Sequence, residues 1–201
     1  MAKGDSSRRW LQRQANDEYV KRAQQEGYRS RAVYKLLEMN QRAGILRPGS
    51  IIVDLGAAPG GWSQVAAREV GPKGRVVAVD ILSMDPVPEV TFLLGDFREQ
   101  EIVDKLMIIL KGSSVDLVMS DMAPNISGMR AVDQPRVVYL AELAVEWARE
   151  VLHPGGDLLV KVFQGAGFDS LLKELRLGFA KVRVRKPEAS RARSAEVYLL
   201  A

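Results

Sequence analysis

The chain has 201 residues and 22.2 kDa, 47% of them hydrophobic, with 29 Lys+Arg against 25 Asp+Glu, one histidine and no cysteine. That length supports one domain with a full core, and the absence of cysteine excludes a disulfide framework, a thiolate metal site and a cysteine nucleophile. The single histidine, His153, argues against a serine–histidine triad or a multi-histidine metal centre, no apolar run approaches the roughly 20 residues that span a bilayer, and the first ten residues lack the apolar stretch of a signal peptide. A cytoplasmic protein is expected.

In chain order, residues 1–15 are polar and read as loose. Asp17 to Glu26 reads as a short helix closed by Gly27, and Ser30 as the N-cap of a helix from Arg31 to Met39 that ends at Gly44. After Arg47-Pro48-Gly49 strands and helices alternate. Strands are expected at 51–54, 75–80, 90–95, 115–120, 157–163, 181–186 and 196–201, and helices near 61–70, 99–110, 136–151 and 168–177. His153 falls before Pro154-Gly155-Gly156, which reads as a turn. Val76-Val77-Ala78-Val79 and Leu158-Leu159-Val160 are continuously apolar, the mark of a parallel sheet covered on both faces. No helix fits between the last two strands, so these should pair antiparallel. The expected architecture is α/β: a seven-stranded, mostly parallel sheet whose last strand is antiparallel, with helices on both faces. One domain spans 1–201, with 1–47 a basic helical extension and 48–201 the core.

The most informative segment is Asp54-Leu55-Gly56-Ala57-Ala58-Pro59-Gly60-Gly61-Trp62-Ser63, between a strand and a helix. Glycines there permit a tight turn and let a nucleotide-like ligand approach the backbone. Four acids follow at successive strand ends: Asp54, Asp80, Asp96 and Asp121. Each alone reads best as a cap or turn residue. Together they line the crevice beyond the carboxyl ends of the strands, where open α/β sheets bind ligands. Asp80 lies at the distance at which an acid meets a ribose diol. A dinucleotide brings a pyrophosphate, which prefers a helix N-terminus free of acids. S-adenosylmethionine brings a sulfonium, an ammonium, an adenine and a ribose, and so fits the acids better. Asp96 could then accept from the adenine amino group and Asp121 face the ammonium. Trp62 is either an apolar wall or a packing residue.

Lys161 lies inside the apolar strand Leu158 to Phe163, where a lysine is rare unless paired or functional. Asp121 ends the neighbouring strand, Glu196 opens the last one, and Lys35 interrupts the helix before the core. For Lys35 and Glu196 taken alone, a surface charge or an ion pair is the simpler reading. Charge is unevenly spread: residues 1–47 hold eleven Lys+Arg against five Asp+Glu, 48–172 ten against seventeen, and 173–201 eight against three. Two basic arms around an acidic body suit a nucleic-acid partner, with Arg29, Arg31, Arg191 and Arg193 the candidate contacts.

The chain resembles the FtsJ/RrmJ family of heat-shock ribosomal RNA 2′-O-methyltransferases over nearly its whole length. The resemblance rests on Ser30 to Leu36, Asp54 to Ser63, Gly95-Asp96-Phe97-Arg98, Met119 to Asn125, Val160 to Gln164, and Arg185-Lys186-Pro187 with Ser190 to Ser194 before Glu196. It implies a Rossmann-like S-adenosylmethionine-dependent methyltransferase fold, and a tetrad of Lys35, Asp121, Lys161 and Glu196 at the transfer site. It also implies cofactor contacts at Gly60, Trp62, Asp80, Asp96 and Asp121. The implied substrate is a uridine in the A-loop of 23S rRNA within the 50S subunit, met by a monomer. Such transfer needs a hydroxyl to attack the sulfonium methyl in line; Lys161 could serve as a neutral base or as a cation that orients the hydroxyl. The residues leave two other classes open: a nicotinamide-dependent oxidoreductase and a non-catalytic RNA-binding protein. A cytosine C5-methyltransferase lacks its cysteine here, and Asp121-Met122-Ala123-Pro124-Asn125 lacks the second proline and aromatic of an exocyclic-amine methyltransferase.

Overall fold

The computed structural model describes residues 17–191 and 193–201. Two helices, α1 (Glu18–Gln25) and α2 (Val33–Ala43), precede the alternating region. There follow β1 (Ile51–Leu55), α3 (Gly61–Val70), β2 (Arg75–Asp80), β3 (Val90–Leu94), α4 (Gln100–Leu110), β4 (Val115–Ser120), α5 (Arg130–Val151), β5 (Leu152–Phe163), α6 (Phe168–Gly178), β6 (Arg183–Arg185) and β7 (Glu196–Leu200). Residues 1–15, expected to be loose, lie outside the described residues.

The seven strands run in the order β3-β2-β1-β4-β5-β7-β6. Strands β1 to β5 are mutually parallel, and β7 is antiparallel to both β5 and β6, as the helix-free connection predicts. The chain winds outward from β1 to β3 and then crosses back to β4 on the other side of β1. That reversal opens a crevice at the carboxyl ends of β1 and β4. Side chains alternate between two cores. Val53, Val118, Val160 and Leu199 pack with α4, α5 and α6, while Ile52, Met119, Leu159 and Tyr198 pack with α2 and α3. Burial on both faces explains why the inner strands read as unbroken apolar runs.

Boundaries differ from the sequence reading where local signals misled. Helix α2 starts at Val33 with Ala32 as an uncapped N-cap, and the Ser30 side chain does not cap it. Helix α5 begins six residues earlier than expected because Pro135 sits inside it, not at its start. The Asp133 carboxylate supports that first turn, accepting from the Ser127 amide and hydroxyl and from the Gly128 amide, and these bonds hold it below the usual carboxylate range. Residues 153–156, expected as a turn, lie within β5, where the β4 pairing shifts register between Val115 and Leu117. Strand β6 shrinks to three residues at the sheet edge.

Candidate active site

Strand β1 delivers Asp54 to the bottom of the crevice and hands over to the glycine turn. Gly56 has φ +80, and a Cβ there would lie 2.8 Å from the Met122 backbone, so the turn and the β4 exit approach as only glycine allows. The Asp121 amide donates to Leu55 O at 3.1 Å, which fixes that approach. Asp54 itself is fully buried; its Oδ2 accepts from Ser63 Oγ at 2.6 Å, and its Oδ1 has no partner. Burial pushes this carboxyl up to about 7, against the pull of the Ser63 hydroxyl and with help from the charges of Asp121 and Asp80.

Asp80, at the end of β2, ties two walls together. Its Oδ2 accepts from the Ala58 amide in the glycine turn and its Oδ1 from the Leu82 amide, both at 2.8 Å. Asp96 is gripped by Arg98, whose side chain and amide donate to it at 2.5–3.0 Å. That grip lowers its titration below the ordinary carboxylate range. Trp62 is buried, donates its indole N–H to Ala32 O at 2.8 Å and lies 5.7 Å from the Tyr198 ring, centroid to centroid. Its indole is therefore a brace between α2, α3 and β7.

On the other side of the crevice a continuous polar chain runs from β7 to β5. Glu196 Oε1 accepts from Ser190 Oγ at 2.8 Å and pairs with Lys35 Nζ at 2.7 Å. Lys35 donates onward to the Tyr198 hydroxyl at 3.2 Å, which donates to Asp121 Oδ1 at 2.7 Å. Lys161 Nζ meets the same Oδ1 at 3.0 Å and donates to the Asp121 carbonyl. Strand pairing explains the assembly: Lys161 faces Tyr198 and Phe163 faces Glu196 across the β5–β7 ladder, so Tyr198 and Glu196, two residues apart, share the face of Lys161. Burial alone would raise the Asp121 carboxyl, but the charges of Lys161 and Lys35 and the Tyr198 hydroxyl outweigh it and hold it below the usual range. Burial, with the neighbouring carboxylates, pushes the Tyr198 phenol well above its ordinary value, so it remains a neutral donor.

All four residues of the expected tetrad thus meet in one cluster, joined by Tyr198. The sequence reading passed over Tyr198, although the two-residue spacing from Glu196 was the available signal. A recess of about 240 Å³ adjoins the cluster, lined by Arg31, Lys35, Arg191, Ser194 and Glu196 among others. The larger cavity, about 550 Å³, lies at the opposite end of the sheet around His153 and Arg183 and contains none of the four acids. Two of the expected nucleic-acid contacts, both half-buried, bond to the chain itself. Arg31 donates to the Asp17 carboxylate and to Ala189 O, and Arg29 donates to three backbone carbonyls. Arg191 and Arg193 are exposed.

A glycine turn at the switch point, acids at successive strand ends and a seven-stranded sheet with β7 inserted antiparallel define the class of S-adenosylmethionine-dependent methyltransferases. The chain belongs to the FtsJ-like methyltransferase family, whose model matches residues 28–201. It is 61% identical over 196 residues to the "Ribosomal RNA large subunit methyltransferase E" of Chromohalobacter salexigens, covering 98% of this chain and 93% of that protein. It is 58% identical to the protein of the same name from Marinobacter nauticus, covering 100% and 97%. A crystal structure assigned as a ribosomal RNA methyltransferase from Plasmodium falciparum superposes with a TM-score of 0.77 at 31% identity, covering 87% of this chain and 97% of that one. Aeropyrum pernix fibrillarin, solved with natively bound S-adenosyl-L-methionine, shares the fold at a TM-score of 0.54 and 17% identity, covering 84% and 75%. Family membership sets aside the oxidoreductase and the non-catalytic readings. The methyl donor is S-adenosylmethionine, and the site fits it: a turn too tight for side chains, flanked by carboxylates that suit a cation. Gly60, Trp62, Asp80, Asp96 and Asp121, expected from the sequence, are the residues that could hold it.

Proposed function

We propose that the protein transfers a methyl group from S-adenosylmethionine to the 2′-hydroxyl of a uridine in the A-loop of 23S rRNA, acting as a monomer on the 50S subunit in the cytoplasm. The names of its relatives support large-subunit rRNA as the substrate class. No described helix is long and apolar enough to cross a membrane. The observation that carries the 2′-O assignment is the unbroken chain Glu196–Lys35–Tyr198–Asp121–Lys161 beside the glycine turn. It presents a buried ammonium with no cysteine nucleophile nearby, which suits a hydroxyl and not a pyrimidine carbon.

The donor supplies an electrophilic methyl on a cationic sulfur. Asp80 holds the glycine turn against the β2 exit, and Asp121 sits where the donor's ammonium and the reacting hydroxyl would both be near. Lys161 has three N–H donors, of which the Asp121 carboxylate and carbonyl take two. The third is left for the 2′-oxygen. In that arrangement Lys161 acts as a cation: it orients the hydroxyl and stabilises the negative charge that develops on oxygen as its proton leaves to solvent, while the C–O bond forms and the C–S bond breaks to leave a neutral thioether. Asp121, held ionised, keeps Lys161 in place. Much of the remaining acceleration comes from positioning the two reactants. Arg191 and Arg193, exposed beside the 240 Å³ recess, would meet phosphates.

The test uses purified protein, isotopically labelled S-adenosylmethionine and large-subunit particles from cells lacking the enzyme. Digestion to nucleosides should yield labelled 2′-O-methyluridine. Label on a base, or on another ribose, would overturn the assignment.

A further inference from the structure

Arg29 lies in the connection between α1 and α2, and its guanidinium spans two separate segments of the crevice wall. Its Nη1 donates to Pro59 O in the glycine turn at 3.2 Å and to Asp85 O at 2.5 Å, and its Nη2 donates to Pro86 O at 2.6 Å. The backbone of the same residue is also anchored, its amide donating to Gln64 Oε1 at 3.0 Å on α3. Gln64 in turn donates to Gly27 O at 3.3 Å. At Gly60, which has φ +101, a Cβ would lie 3.0–3.1 Å from Val87, Arg29 Nη1 and Met84 Sδ, so turn, arginine and loop are in packing contact.

The turn at 56–60 and the loop at 81–87 are therefore joined twice. Asp80 joins them at the base, through the amides of Ala58 and Leu82. Arg29 joins them at the rim, through three carbonyls. The loop between these joints carries Ile81 and Leu82, both more than half exposed and next to the acid placed to meet the ribose. A planar guanidinium with a fixed fork of donors can hold acceptors from two chain segments at one spacing; a flexible ammonium cannot. We propose that Arg29 is a positioning residue for S-adenosylmethionine: it sets the gap between the glycine turn and the 81–87 loop and makes no contact with RNA. By its place in a basic arm Arg29 looks like an RNA contact, but three of its five N–H donors are taken by the cofactor wall.

The test compares Arg29→Ala and Arg29→Lys with the full-length enzyme. Calorimetry should show S-adenosylmethionine binding weakened about tenfold in Arg29→Ala, with KM for the donor rising in step. At saturating donor kcat should stay within about threefold of the parent, because the transfer cluster is untouched. Arg29→Lys, which keeps the charge but not the fork, should still show a clear loss of donor affinity. The salt dependence of binding to large-subunit particles should keep its slope in both variants. If Arg29→Ala fails to fold, Arg29→Lys carries the reading. Unchanged donor affinity in the folded variant, or a slope reduced by about one unit, would overturn the proposal.

Discussion

Replacing Lys161 by Met tests the transfer site most sharply, because the residue is 7% exposed and its ammonium is bound to the Asp121 carboxylate and carbonyl. The apolar stem is retained, so the β5 packing with Leu159 and Tyr198 should survive. What disappears is the group placed to orient and stabilise the reacting oxygen, a role worth about 10²–10⁴ in rate. Removing one partner of a buried pair costs about 3–5 kcal/mol. Here Asp121 keeps the Tyr198 hydroxyl and the charge of Lys35, and its side chain is 20% exposed, so about 2–3 kcal/mol is the appropriate share. For a chain of this length that corresponds to a fall in Tm of roughly 5–10 °C. Single-turnover transfer with labelled donor should drop by at least a hundredfold while donor affinity by calorimetry changes little. Adding Asp121→Asn should recover part of the lost stability, since it removes the uncompensated charge, without recovering transfer. A folded Lys161→Met enzyme that transfers within tenfold of the parent would refute the reasoning. So would a variant that stays unfolded even with Asp121→Asn, because the lysine would then be structural.

Asp54→Asn should remove a pH dependence. The folded carboxyl sits at about 7 against roughly 4 unfolded, so the parent loses stability as pH rises from 4 to 7, by on the order of 4 kcal/mol, and stays there above 7. The variant should be the more stable at pH 8, and parallel stability profiles from pH 5 to 8 for the two proteins would contradict this. Gly56→Ala forces a Cβ to within 2.8 Å of the Met122 backbone at φ +80, and should cost about 1–3 kcal/mol by thermal unfolding. An unchanged Tm would show that the turn has slack. Replacing Arg191 and Arg193 together by Ala should weaken binding to large-subunit particles and flatten its salt slope by roughly one to two units, leaving donor affinity intact. A slope equal to that of the parent would make this arm a solvated face.

The sheet was legible in the sequence because its inner strands are apolar on both faces, and continuous runs such as Val76 to Val79 have few alternative readings. The four acids were legible for the same reason: Asp80 and Asp121 stand where an apolar run stops, and Asp54 and Asp96 lie within two residues of a strand end. Lys161 stood out because its neighbours along β5 are buried aliphatics. The start of α5 was not legible, since Pro135 normally marks a helix start and nothing local signals that Asp133 ties down the loop at 127–128. Nor was the direction of Arg29 and Arg31. Of their partners only Asp17 is near in sequence; Pro59, Asp85, Pro86 and Ala189 are 30 to 158 residues away, and local composition carries no information about such contacts. Charge counting thus did not foresee that, in the described part of the first arm, Arg29 and Arg31 hold partners within the chain. Tyr198 was hidden by its type, because a tyrosine in an apolar strand reads as packing until its hydroxyl is seen between Lys35 and Asp121.

Mapping the modification at nucleotide resolution shows whether transfer goes to one ribose hydroxyl. Large-subunit particles lacking the methyl group would be treated with the parent enzyme and donor, and their rRNA subjected to partial alkaline cleavage. A 2′-O-methyl group blocks the hydroxyl that alkaline cleavage requires. A single new gap should appear in the ladder, at a uridine of the A-loop, and be missing after treatment with the Lys161→Met enzyme. An unbroken ladder despite incorporated label, or a gap that persists with Lys161→Met, would contradict it.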